Sequence, residues 1–240
     1  AALGVNTTAA NNVAVGANAL QANTTGGPNS AFGKGAMASN TTGHSNTAVG
    51  FEAFVSNQTG NETVAVGDQA LYACTVGFNT AVGFHAGLDV TTGTANILVG
   101  GEAGENITTG QNNTAIGHQS IRAVTTASNN TGCGFKTGLQ ITSGTQNTLV
   151  GSEAGDHLTT GSYNTFIGYS VGSYSTNATT GQRNTCIGAY SRPIASGSDD
   201  ANGFGYDINA DGGYTTIGVS SNDIRASHGS TTWSTVSDER

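Results

Sequence analysis

The sequence has few charged, few basic and few aromatic residues, and each scarcity excludes a class of protein. Charged side chains make up 9% of the 240 residues, against about 25% in an ordinary globular domain. Seven scattered Lys and Arg residues, under a net charge of −8, cannot neutralise a phosphate backbone, which excludes a nucleic-acid partner. No run of 18 apolar residues occurs, so no membrane-spanning helix is expected.

Cysteine is also scarce. Cys74, Cys133 and Cys186 are odd in number and lack CxxC spacing, so they indicate neither a disulfide framework nor a zinc site. Cys133 and Cys186 occupy repeat positions that otherwise hold Val, Ile, Ala or Leu. We therefore expect both to be buried free thiols that act as small hydrophobic residues.

What the sequence has in abundance is a repeat. The motif NTAVG at residues 46–50 returns as NTAVG at 79–83 and NTAIG at 113–117, and each copy closes on a glycine. The closing glycines are mostly 17 residues apart, and such a fixed period is typical of stacked coils. They are Gly16, Gly33, Gly50, Gly67, Gly83, Gly100, Gly117, Gly134, Gly151, Gly168, Gly188, Gly205 and Gly218.

Each coil has the same parts. NTAVG, rich in β-branched residues, predicts a short strand, and the closing glycine predicts a bend or a close backbone approach. A second glycine ten residues later, usually within TTG, predicts a turn with positive φ. A second short extended piece is expected between them, around ALQAN. The Asn four residues before the closing glycine predicts an amide ladder between coils.

Both faces of the strand are apolar. In NTAVG the Thr and Val side chains share one face, and the opposite face carries Ala or a larger apolar residue. One face can pack inside the coil, whereas the other needs a second surface. Each coil also buries few apolar groups, and the free energy gained by burying them is small beside the conformational entropy lost when the coil is ordered. We therefore predict an all-β solenoid of about 17 residues per coil, assembled as an obligate homo-oligomer.

The pattern Asn-Thr/Ser-Ala-Val/Ile-Gly-x-x-Ala, with its second glycine turn, resembles the head repeats of trimeric autotransporter adhesins. It is also similar to the repeat shafts of bacteriophage tail fibres, and the resemblance covers residues 1–220. It implies a parallel homotrimer of β-rolls, left-handed in the adhesins. On this basis we expect a repeat shaft at 1–190, degenerate terminal repeats at 191–226 and a junction at 227–240.

The end of the chain, WSTVSDER at 233–240, resembles the junction between phage fibres and a C-terminal intramolecular chaperone. That domain trimerises the fibre and then cuts itself off with a serine–lysine dyad. Ser237, Asp238 and Arg240 match the junction, which makes Ser237 the candidate nucleophile. The partner lysine would fall beyond Arg240, and a serine without its base is a poor nucleophile, so we expect this chain to be inactive in cleavage.

The first residues, AALGVNTTAANN, have neither the basic nor the apolar region of a signal peptide and already follow the repeat. We therefore expect the sequence to begin inside a longer protein.

Two further sites are candidates. DINADG at 207–212 matches the first half of a calcium loop, with Asp207, Asn209 and Asp211 as oxygen donors, but its terminal Glu is missing. A shortened turn is the competing interpretation.

The coil between 168 and 188 is the long one, and Tyr169, Tyr174 and Tyr190 near its insertion are candidates for a binding surface. A tolerated bulge is the alternative there.

The sequence therefore predicts a structural, non-enzymatic fibre, the distal part of a phage tail fibre involved in host attachment. It would lie in the virion, bind a host glycan or surface protein, and need no cofactor, with calcium the possible exception. The alternatives are the head of a bacterial surface adhesin and an ice- or glycan-binding solenoid with Thr arrays. A polysaccharide-cleaving enzyme would need a carboxylate pair that the repeats do not show.

Overall fold

The computed structural model describes residues 1–173, 180–220 and 222–235, and these contain strands and turns but no helix. The chain forms two compact units, Ala1–Ala127 and Ser128–Arg240. The boundaries predicted at 190 and 226 mark where the repeat loses its regularity, which is a different property from compactness. They therefore stay predictions.

The first unit is a stack of parallel strands, one from each coil. Every strand pairs with the next in register, so that Ala31 lies beside Ala48 and Ala48 beside Ala65. The strands are β1 (Val13–Val15), β2 (Asn29–Phe32), β3 (Asn46–Val49), β4 (Val64–Val66), β5 (Thr80–Val82), β6 (Ile97–Val99) and β7 (Thr114–Ile116).

The second unit continues the same coil pattern and then changes it. Strands β8 to β11, β13 and β15 pair in parallel, whereas β16 and β17 add antiparallel strands at the end. A separate short pair joins β12 to β14. The strands are β8 (Thr131–Cys133), β9 (Thr148–Val150), β10 (Thr165–Ile167), β11 (Thr185–Ile187), β12 (Arg192–Pro193), β13 (Asn202–Tyr206), β14 (Asn209–Ala210), β15 (Tyr214–Val219), β16 (Asn222–Ser227) and β17 (Ser234–Thr235).

The predicted solenoid of 17-residue coils is confirmed, and the structure shows which strand face is inside. In the repeated pattern Thr-x-Val the middle residue points into the coil, where Ala48, Leu98 and Phe166 are fully buried. The Thr and Val residues on either side point outward, as the alternation of a strand requires. The alanine-bearing face is therefore the core face.

Large and small side chains from the strand and the turn complement one another in the core. Where the strand contributes Ala, the turn carries a large buried residue, such as Phe54, which is fully buried in the coil whose strand carries Ala48. Where the strand contributes a large residue, the turn carries glycine. A Cβ on Gly155 would lie 2.9 Å from Leu149 Cδ2, and one on Gly172 would lie 2.5 Å from Phe166 Cδ2. The interior is thus close-packed although single coils differ in sequence.

The predicted amide ladder is present in both units. In the first, the backbone N–H of Asn46 donates to Oδ1 of Asn29 (3.0 Å), and Nδ2 of Asn46 donates to the carbonyl of Gly60 (2.8 Å). In the second, Asn164 N–H donates to Oδ1 of Asn147 (3.0 Å). Each buried amide therefore joins neighbouring coils and satisfies backbone groups that no strand pairing reaches.

Two local predictions are wrong. The region around ALQAN forms turns rather than a strand, although its backbone still bonds the next coil, as from Leu20 N–H to Ala36 O (3.0 Å). The glycine of TTG does not adopt positive φ. It is required by space instead, because a Cβ on Gly43 would lie 2.4 Å from the carbonyl oxygen of Gly60.

Candidate functional site

The outward face of the strands is a surface that recurs in every coil of the parallel stack. We use the name outward face for the first and third positions of the strands in the pattern Thr-x-Val. In the parallel stack these positions hold no charged residue, only Thr, Ser, Asn, Cys, Val, Ile and Phe. In a single chain Val66, Val99, Val150 and Phe204 among their large apolar side chains are half-buried, whereas the others are exposed by 36% to 55%. Those members are Val13, Val15, Phe32, Val49, Val64, Val82, Ile97 and Ile116 in the first unit and Ile167, Ile187 and Ile217 in the second.

This arrangement follows directly from the repeat. Because the strands are parallel and in register, like positions form columns along each unit. One column is mainly Thr and the other mainly Val or Ile. Strand propensity alone does not explain an apolar column in solvent, because Thr is β-branched like Val and Ile and would suit the same positions while being polar. Contiguous exposed apolar surface marks an interaction site.

Two of the three thiols are buried and one is exposed. Burial raises the pKa of Cys186 to about 12 and that of Cys74 to about 11, so both stay protonated and unreactive at neutral pH. Cys133 is exposed in a single chain, so the prediction that it is buried is wrong for the coil itself. It holds the third strand position, on the outward face, whereas Cys186 holds the inward second position.

A row of polar side chains runs beside the strands of the first unit. Gln69 Nε2 donates to Glu52 Oε2 (3.3 Å), and Gln119 Nε2 donates to Glu102 Oε2 (2.9 Å). The hydrogen bond from Gln119 lowers the pKa of the Glu102 carboxyl, and the Arg122 guanidinium, 3.2 Å away, contributes less. These carboxylates are thus held as hydrogen-bond acceptors between coils, a structural role.

Three tyrosines of successive coils meet on the second unit. The ring centroids of Tyr169 and Tyr190 lie 5.3 Å apart, and those of Tyr190 and Tyr206 lie 5.8 Å apart, both pairs perpendicular. The structure therefore brings together two of the predicted binding residues, Tyr169 and Tyr190. It adds Tyr206, which the spacing of the coils could have indicated. Tyr174 lies outside the described residues.

The calcium candidates are engaged by arginines. Asp207 Oδ1 accepts a hydrogen bond from Arg192 Nη1 (2.8 Å), and Asp211 pairs with Arg225. Asn209 lies in β14, which pairs with β12. Within 1–173, 180–220 and 222–235, no three His, Cys, Asp or Glu residues are grouped so that they could hold a metal ion.

The structure does not describe the residues of the predicted junction motif. Ser237, Asp238 and Arg240, the residues of the junction motif, lie outside the described residues. In the part of the chain that is described, no helix has the length and apolar character needed to cross a membrane.

Comparison of the chain with protein-family models, with curated proteins and with solved structures found no match. The fold and the surfaces described above therefore carry the functional argument.

Proposed function

We propose that the chain is a structural fibre segment that works as a parallel homotrimer and has no enzymatic activity. The observation that carries this proposal is the outward face, which is uncharged along both units and bears large apolar side chains exposed by 36% or more. At about 25 cal/mol per Å² of apolar surface removed from water, repeating such a face in every coil makes its coverage strongly favourable.

A second copy of the chain is the partner that this face fits best. Its columns repeat at the strand spacing of about 4.8 Å, so a covering surface must be apolar and have the same period. Another copy meets both conditions along its whole length. Rotational symmetry about an axis parallel to the direction in which the coils stack would close the assembly. Every outward face would then be covered.

The polar row of Glu52, Gln69, Glu102 and Gln119 has the opposite character. These side chains bond one another between coils and tolerate water, so they suit the outside of a fibre. The chain thus supplies one face for association and another for solvent, as a shaft requires.

We assign the fibre to the distal part of a phage tail fibre, in the virion, where it contributes to attachment to a host glycan or surface protein. The resemblance of residues 233–240 to a chaperone junction supports this assignment over the head of a bacterial surface adhesin. Weak contacts of several copies would add by avidity. No step of this function requires a cofactor.

The test is the mass of the particle by light scattering. One chain has a mass of 23.9 kDa, so a trimer has three times that, about 72 kDa. Ile116→Lys places a charge on the outward face, where Ile116 is 41% exposed, and we expect it to lower the mass without unfolding the coil. Thr109→Lys, at an exposed position of the turn that precedes the same strand, is the matched control and should remain trimeric. A wild-type particle of one chain would overturn the proposal.

A second candidate function, binding of ice or of a flat glycan, is favoured by one feature of the same face. Thr47, Thr80 and Thr114 stand at equivalent strand positions beside the column of Val and Ile. A regular array of hydroxyl and methyl groups would need to be free in solution to act in this way. Thermal hysteresis in a monomeric sample would support this candidate, and its absence from a trimeric sample would exclude it.

A further inference from the structure

The tyrosines of this chain are concentrated in one region. Of seven tyrosines, all but Tyr72 lie between residues 163 and 214. The position after the closing glycine holds Phe at Phe51, Phe84 and Phe135, and it becomes Tyr only later in the chain, at Tyr169 and Tyr206. A change from Phe to Tyr adds a polar group to an exposed ring, which favours contact with a polar ligand.

Tyr169, Tyr190 and Tyr206 form one cluster, which we name the tyrosine platform. Tyr169 is 47% exposed and Tyr206 is 52% exposed, with Tyr190 between them. Because neither pair is stacked face to face, the rings do not cover one another as a parallel stack would. The backbone of Tyr190 has φ +61°. Its N–H donates to the carbonyl oxygen of Tyr169 in the preceding coil (3.0 Å), so the fold fixes the position of Tyr190.

Polar groups border the platform on both sides. Ser170, next to Tyr169, donates to Glu153 Oε2 (2.9 Å). Asp207, next to Tyr206, accepts from Arg192 Nη1, which also donates to the backbone carbonyl of Tyr190 (2.7 Å). The carboxylates and the guanidinium are already oriented by these bonds and keep further hydrogen-bonding capacity.

We propose that the tyrosine platform is a binding site for a neutral oligosaccharide. Sugar rings present apolar C–H faces that pack on aromatic rings and hydroxyl groups that bond carboxylates and guanidinium groups, and this site offers both. The ring separations of 5.3 Å and 5.8 Å are comparable with the length of one pyranose unit, so an extended chain can reach from one ring to the next. Because both pairs are perpendicular, it would meet ring faces and ring edges in turn. The proposal rests on the proposed function, because it supplies the fibre with a contact for the host surface.

The charges select the ligand class. Of the charged groups named above, Glu153 and Asp207 are carboxylates, and the guanidinium of Arg192 is already paired with Asp207 at 2.8 Å. The chain as a whole carries a net charge of −8. A strongly anionic polysaccharide would be repelled, so the site favours a neutral one.

The experiment measures retention of the 240-residue chain on immobilised neutral polysaccharides: dextran, mannan, a β-1,3-glucan and neutral O-chains of lipopolysaccharide. Polysialic acid serves as the anionic comparison. We expect retention on at least one neutral surface and none on polysialic acid. Tyr169→Ala and Tyr206→Ala should each weaken retention by about tenfold, because each removes one aromatic stacking surface.

Matched variants separate stacking from general loss of aromatic surface. Tyr169→Phe keeps the ring and removes only the hydroxyl, so it should weaken retention, but by less than Tyr169→Ala does. Tyr163→Ala removes a tyrosine that is 54% exposed but outside the platform, and Phe135→Ala removes an exposed ring at the same coil position two coils before Tyr169. Both controls should bind as wild type does.

Three outcomes would overturn the proposal. These are the absence of retention on every neutral polysaccharide, retention that Tyr169→Ala and Tyr206→Ala leave unchanged, and stronger retention on polysialic acid. The mass of each variant is measured in the same samples. A fall in mass caused by Tyr206→Ala would place the ring in the interface between copies and would also reject a glycan site. A trimeric wild type that binds no polysaccharide rejects the platform but leaves the proposed fibre intact.

Discussion

At the scale of single residues, the glycines show how far the sequence determines the coil. The closing glycine of each repeat adopts positive φ, +141° at Gly50, and a Cβ there would lie 2.1 Å from the carbonyl oxygen of Gly67. Both conformation and space therefore demand glycine. The sequence predicted a bend or a close approach at this position, and the structure shows both.

We predict that Gly50→Ala destabilises the first unit by at least about 2 kcal/mol, because the new Cβ meets backbone of the next coil and the φ value is strained. Denaturant unfolding, followed by circular dichroism, measures the change. Gly197→Ala is the control, since its Cβ would have only Thr180 Oγ1 near it, at 3.6 Å. Equal stability of the two variants would show that the coils are not as closely stacked as described.

The second glycine of the repeat could not be interpreted so well from sequence. TTG suggested a turn with positive φ, yet Gly43 is glycine because Gly60 O and Asn40 Oδ1 both lie 2.4 Å from where its Cβ would be. That contact depends on how closely the next coil approaches, which a single repeat does not specify. The exposed thiol of Cys133 was missed for a related reason, because the pattern did not say which face of the strand is inside.

At the scale of the element, the strand and its asparagine form the unit that stacks. Asn147 is almost fully buried. Its Oδ1 accepts from the backbone N–H of Asn164 (3.0 Å), and its Nδ2 donates to Gly161 O (2.9 Å). The coil cannot satisfy these backbone groups by strand pairing alone, so the side chain has to take part.

We predict that Asn147→Ala lowers the free energy of unfolding by about 2–4 kcal/mol, because it leaves buried backbone groups without partners. Asn106→Ala, at a half-exposed position of another coil, should change it by less than about 0.5 kcal/mol. Urea unfolding of the two variants makes the comparison. A loss below 1 kcal/mol at Asn147 would mean that water or a neighbouring amide replaces the ladder bond.

Much of this element was predictable. The period, the strands and the ladder all followed from residues that recur every 17 positions. A second ladder was not predicted, although its signal was present: Asn23, Asn40 and Asn57 recur at the same interval, and Nδ2 of each later residue donates to Oδ1 of the one before (2.8 Å). The antiparallel hairpin of β15 and β16 was missed because it departs from the repeat, and only register in three dimensions reveals it.

At the scale of the whole molecule, the outward face is the surface through which we propose that copies of the chain associate. The sequence predicted that both sides of the strand need burial, and each unit buries one side in its own core and presents the other. The sequence alone could not choose between the sides. Small inward residues follow from a thin coil that turn residues such as Phe54 and Leu71 already fill, which leaves the larger β-branched side chains to point outward.

Cys133 reports directly on that face, because it belongs to an outward column and its thiol is exposed in a single chain. Cys74 and Cys186 are buried within the coils, with the pKa of each thiol raised by burial, so neither should react in the folded protein. The decisive measurement is therefore the number of thiols that a maleimide labels at neutral pH in the native protein, with the denatured protein as reference. If copies of the chain cover the outward face, no thiol is labelled in the native sample and three are labelled after denaturation. Rapid labelling of Cys133 in the native sample would show that the face is open to water and would contradict the account.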